Sequence, residues 1–67
     1  MAVILDSNKD HPLVADVMIV DDQPTSRIIL EKVVRGIGDN LRVRSYGNPL
    51  SALHAAEDRA PDLILAD

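Results

Sequence analysis

The chain has 67 residues, 11 acidic against 7 Lys and Arg for a formal net charge of −4, no cysteine, and a single aromatic residue, Tyr46. That length allows one small domain. The lack of cysteine excludes disulfides and thiolate metal sites, and an acidic balance without a basic patch argues against nucleic-acid binding by this segment. No apolar stretch approaches the roughly 18 residues of a membrane span, and "MAVILDSNKDHP" has no basic n-region for a signal peptide. A cytoplasmic protein with no membrane partner is the expectation.

Residues 1–15 read as a flexible leader, because Asp6, Ser7, Asn8, Lys9, Asp10 and Pro12 crowd together and favour loop. "AVIL" within it has the composition of a short strand, but a mobile tail is expected. The folded domain then spans 16–67. Val17 to Val20 is a short, β-branched apolar run bounded by charges, the pattern of a strand buried on both faces. Pro24 opens a helix predicted over 24–37, since a missing N–H costs nothing in the first turn. Leu30, Val33, Val34 and Ile37 form its apolar stripe, and Gly36 and Gly38 end it. "LRVRSY" alternates, which predicts an edge strand with Arg42 and Arg44 turned outward. Asn48 caps and Pro49 opens a second helix over 49–59, with Leu50, Leu53 and Ala56 as its stripe, and Pro61 closes it. "DLILAD" is a third strand, again apolar on both faces.

The order β-α-β-α-β predicts an α/β fold. It is a three-stranded parallel sheet with right-handed crossovers and one helix on each face. The amphipathic second strand belongs at an edge, so the spatial order is 2-1-3. The first and third strands then end side by side on one rim, where open α/β sheets bind ligands. Asp21, Asp22 and Asp67 converge there. No basic residue stands near enough to neutralise them: Lys32 lies roughly 15 Å from Asp22 along the helix axis at about 1.5 Å per residue. A divalent cation is the natural counter-charge, and an all-oxygen set suits Mg²⁺.

"VMIVDDQPTSRIILEKVV" followed by "PDLILAD" resembles the N-terminal half of a receiver domain of bacterial two-component response regulators, across roughly Val17 to Asp67. The resemblance implies half of a flavodoxin-like, doubly wound (βα)5 domain. It implies that Asp67 is the phosphoacceptor, taking a phosphoryl group from a sensor histidine kinase. Asp21 and Asp22 would be the acidic pair holding Mg²⁺, Asp22 directly and Asp21 largely through water. The family's metal-ligating loop carbonyl, its phosphate-sensing Ser or Thr and its Lys would follow Asp67. A receiver truncated at the end of strand 3 is therefore expected, with that strand as an exposed apolar edge, an output domain beyond it, and no enzymatic activity of its own.

Two other readings stay open. One is a receiver-like interaction module that takes no phosphate. The other is a haloacid-dehalogenase-like phosphatase, whose Asp-x-Asp-x-Thr motif fits at Asp21 and Thr25 but meets Gln23 in the middle. A nucleotide-binding domain would need a Gly-rich turn that "DDQPTS" lacks. His11, His54, Arg27 and Arg44 read as solvated surface residues, and Tyr46 as packing at a strand end.

Overall fold

In a strand, apolar residues at consecutive positions can all be buried only when the sheet is covered on both faces, and Val17, Met18 and Ile19 are 3%, 1% and 0% exposed. They lie in β2 (Ala15–Val20), the centre of a sheet described by a computed structural model over residues 2–5 and 14–67. The chain runs β1 (Ala2–Leu5), β2, α1 (Pro24–Arg35), β3 (Leu41–Tyr46), α2 (Pro49–Asp58) and β4 (Leu63–Ala66). The spatial order is β1-β4-β2-β3. β2 pairs in parallel with β3 (Val17 opposite Val43) and with β4 (Val17 opposite Leu63). The three parallel strands thus stand in the expected 2-1-3 order, with β3 at the edge.

Strand alternation sends Val17 and Ile19 to one face and Met18 to the other. On the first face they pack with Val34 and Leu30 of α1 and with Leu41, Val43, Leu63 and Leu65 of the neighbouring strands. On the second face, Met18, Val20, Ile64 and Ala66 meet Pro49, Ala52, Leu53 and Ala56 of α2. One helix therefore covers each face. Burying Met18 and Ile19 stabilises the fold by roughly 1.5–3 kcal/mol each.

β1 is a departure from the sequence reading, which placed Ala2–Leu5 in a flexible leader. These residues pair antiparallel with β4, Ala2 opposite Ala66 and Leu5 opposite Leu63, so β4 is not a bare edge. The unpaired N–H and C=O groups along β4 supply the reason: an apolar, β-branched segment satisfies them, and no local pattern shows which segment will do so. Residues 6–13, with His11, lie outside the described residues.

Arg44 also departs from expectation. Its side chain is 14% exposed and its Nε donates to Asp16 Oδ1 at 2.9 Å, while Arg59 Nε stands 3.2 Å from Asp16 Oδ2. Arg44 Nη2 reaches the Arg59 carbonyl at 2.9 Å. Asp62 joins the cluster, its Oδ2 accepting from the Asp16 N–H at 2.7 Å and its own N–H donating to the Asp16 carbonyl at 2.8 Å. An alternating strand does place Arg44 opposite Val43, but α2 and its exit loop cover that face, so the guanidinium is held rather than solvated.

Helix α1 ends at Arg35, two residues before the expected limit. Gly36 N–H bonds to the Lys32 carbonyl and Ile37 N–H to the Val34 carbonyl at 3.1 Å, and no glycine among the described residues takes a positive φ. Val33 and Ile37, read as core stripe, are 58% and 75% exposed, because α1 stands toward β3 and leaves an apolar groove of about 550 Å³ beside β4. In α2 the buried residue is Ala52, and Leu50 and Leu53 are mostly exposed. The Asn48 cap is as read: its Oδ1 accepts from the N–H groups of Leu50 (2.8 Å) and Ser51 (3.4 Å).

Candidate functional site

The carboxyl ends of β2 and β4 stand side by side because Val20 pairs with Ala66. The ladder runs one residue further, Asp67 N–H donating to the Val20 carbonyl at 3.2 Å. On the other side of β2, Asp21 N–H donates to the Tyr46 carbonyl at 3.1 Å. Backbone hydrogen bonds therefore fix Asp21 and Asp67 at the ends of neighbouring strands, which lie about 4.8 Å apart in a sheet.

The three carboxylates have different surroundings. Asp21 is 3% exposed, and its Oδ1 accepts from the Gln23 N–H at 2.9 Å, an Asx turn that breaks the chain out of the strand. Asp22 and Asp67 are exposed. Gln23, not Asp22, is the N-cap of α1; its side chain makes no capping bond, and its carbonyl accepts the first helical hydrogen bond from Arg27 N–H at 3.0 Å. Pro24 follows in the first turn as expected.

Arg27 sits one turn into α1, and helix side chains lean toward the N-terminus. Its Nη1 reaches back to the Asp21 carbonyl at 3.1 Å, and a Cβ on Gly47 would collide with that guanidinium. Arg27, read from the sequence as a solvated charge, is thus part of the rim. Its place one turn after the acidic pair is the sequence signal that could have found it. Gly47 carries no such signal. His54 is exposed on α2, and Tyr46 is half-buried at the end of β3, both as read. On the adjoining face, Ser45 Oγ donates to Glu31 Oε1 at 2.7 Å, tying α1 to β3.

Among the described residues, no group of three or more Asp, Glu, His or Cys side chains stands close enough together to hold a metal ion. The donor chemistry of the rim nonetheless suits a hard cation. Its groups are all oxygen, two of the carboxylates are open to solvent, and Mg²⁺ usually takes one or two carboxylates and keeps several waters. No helix among the described residues is long and apolar enough to cross a membrane.

Compared with known proteins, the chain is 40% identical over 52 residues to the cyclic di-GMP phosphodiesterase response regulator RpfG of Xanthomonas campestris pv. campestris (strain 8004). The match covers 78% of the chain and 14% of that relative, so the chain spans a small part of the relative's length. No family model matches the chain, and no solved structure matches it. The chain is thus homologous in part to a response regulator, and its 2-1-3 parallel sheet with a helix on each face is consistent with half of a flavodoxin-like receiver.

Proposed function

We propose that this chain, homologous in part to a response regulator, is the phosphoacceptor half of a two-component receiver. In this reading Asp67 takes a phosphoryl group from the phosphohistidine of a cytoplasmic sensor histidine kinase, and one or two of the carboxylates Asp21, Asp22 and Asp67 would hold a hydrated Mg²⁺. The observation that carries it is the register of β4 on β2, which sets Asp67 one residue past the Val20–Ala66 pair and beside Asp21.

A carboxylate is a competent nucleophile for phosphoryl transfer. A carboxylate oxygen of Asp67 attacks phosphorus, the phosphorus–nitrogen bond breaks, its electron pair stays on the imidazole, and an acyl phosphate results. Bound Mg²⁺ would offset the charge on the oxygens of the transferred group. The rest is positioning by the chain itself. The β2–β4 ladder holds the Asp67 backbone, the Asx turn holds Asp21, and Asp22 is exposed where a hydrated cation can reach it. The phosphodiesterase activity in the relative's name belongs to a protein of which this chain matches only 14%.

The test is labelling by a small phosphodonor with Mg²⁺, followed by mass spectrometry, on the chain alone and fused to the C-terminal half of the relative's receiver. The fusion is expected to label at Asp67 and the chain alone only weakly. Asp67→Asn abolishes the label, and Asp22→Ala reduces it by weakening the metal site. Labelling that survives Asp67→Asn unchanged would overturn the assignment.

A further inference from the structure

We propose that Arg27 is a positioning residue that clamps the loop 21–23, and that Gly47 is the seat this clamp requires. Arg27 Nη1 donates to the Asp21 carbonyl at 3.1 Å. The same residue's Oδ1 accepts from the Gln23 N–H at 2.9 Å, and its N–H is tied to the Tyr46 carbonyl at 3.1 Å. Asp21 is thus held at its amide, its carbonyl and its carboxylate, and Asp22 is the residue suspended between two fixed neighbours. Of the three restraints, only the one at the carbonyl comes from a side chain on another element. A charge-assisted bond of this kind is stronger than a neutral one. The guanidinium lies where a Cβ of residue 47 would be, and no φ at Gly47 demands glycine, so it is the arginine that explains the glycine.

The metal consequence rests on the function proposed above, and its sign is diagnostic. Arg27 is a cation beside a cation site. If it acted through charge alone, removing it would relieve repulsion and tighten Mg²⁺ binding. As a clamp, it holds the loop that presents Asp22, and removing it weakens binding.

Two variants separate these effects in the full 67-residue chain. Arg27→Gln removes the clamp and the charge. Gly47→Ala keeps the charge and displaces only the end of a flexible side chain. Amide hydrogen exchange of Gln23 is expected to speed up about tenfold or more in both variants, the scale of one lost charge-assisted bond. The amide of Met18 in β2 is expected to speed up less than that of Gln23, and the melting temperature to fall by no more than a few degrees. Mg²⁺ titration followed by the amide shifts of Asp22 and Gln23 is expected to show about tenfold weaker binding in both, as for other residues that orient ligands from behind. Unchanged Gln23 exchange, or a uniform rise across all amides, would overturn the clamp. Tighter Mg²⁺ binding in Arg27→Gln would do the same. Faster Gln23 exchange in a chain whose wild type shows no Mg²⁺ response would uphold the clamp and sink the metal reading.

Discussion

Replacing Asp16 by Leu, close to it in size, tests whether the cluster at the amino end of β2 holds the sheet together. The substitution removes the acceptor for Arg44 Nε (2.9 Å) and Arg59 Nε (3.2 Å). Arg44, 14% exposed, is left with its charge largely desolvated and without its carboxylate partner Asp16, keeping its bond to the Arg59 carbonyl. Breaking a fully buried pair costs about 3–5 kcal/mol, whereas exposed pairs are worth about 0–1. With side chains 11% and 14% exposed, the Asp16–Arg44 pair lies nearer the buried limit, so about 2–3 kcal/mol is expected, and Arg59, 52% exposed, adds little. A 67-residue chain has about 3–10 kcal/mol in all, so the loss is a large share of it. Urea unfolding followed by circular dichroism reads this as a fall in midpoint of about 2–3 M, for a slope of about 1 kcal/mol/M. Adding Arg44→Met removes the stranded charge and is expected to recover most of the loss. Asp16 stands five residues from Asp21, about 17 Å along the strand. Mg²⁺ affinity of the folded protein should therefore not change. A single-variant loss below about 0.5 kcal/mol, or a double variant no better than the single, would refute the reasoning.

Asn48→Ala removes the acceptor for the Leu50 and Ser51 amides and is expected to cost about 1 kcal/mol in the same unfolding assay. Ile4→Pro deletes an N–H from β1 in its pairing with β4 and is expected to expose the β4 edge, which sedimentation at rising concentration reads as self-association. Asp67→Asn and Asp22→Ala are expected to abolish and to weaken phosphodonor labelling respectively, read by mass spectrometry of the fusion with the missing half.

The parallel core was written locally. A four-residue apolar run with charges at both ends, an alternating "LRVRSY", and a proline at the start of each helix specify strand and helix by period and by missing N–H groups alone. Right-handed crossovers then leave few ways to assemble them, and the burial of Val17, Met18 and Ile19 follows. The rim was legible for the same reason, because parallel register carries strand ends to one side and so brings Asp21 and Asp67 to neighbouring positions. What depended on distant partners was not legible. Whether Arg44 meets solvent or Asp16 depends on a residue 28 positions away and on the loop after α2 that closes over both. Whether "AVIL" is a tail or a strand depends on an open edge more than fifty residues later in the chain. Gly47 has an ordinary backbone, and only the guanidinium of a residue on another element gives it a reason to lack a side chain. Local period and turn chemistry act within a few residues and survive in the sequence. Ion pairing, edge pairing and steric seats act through space, and they exist only once the chain has folded.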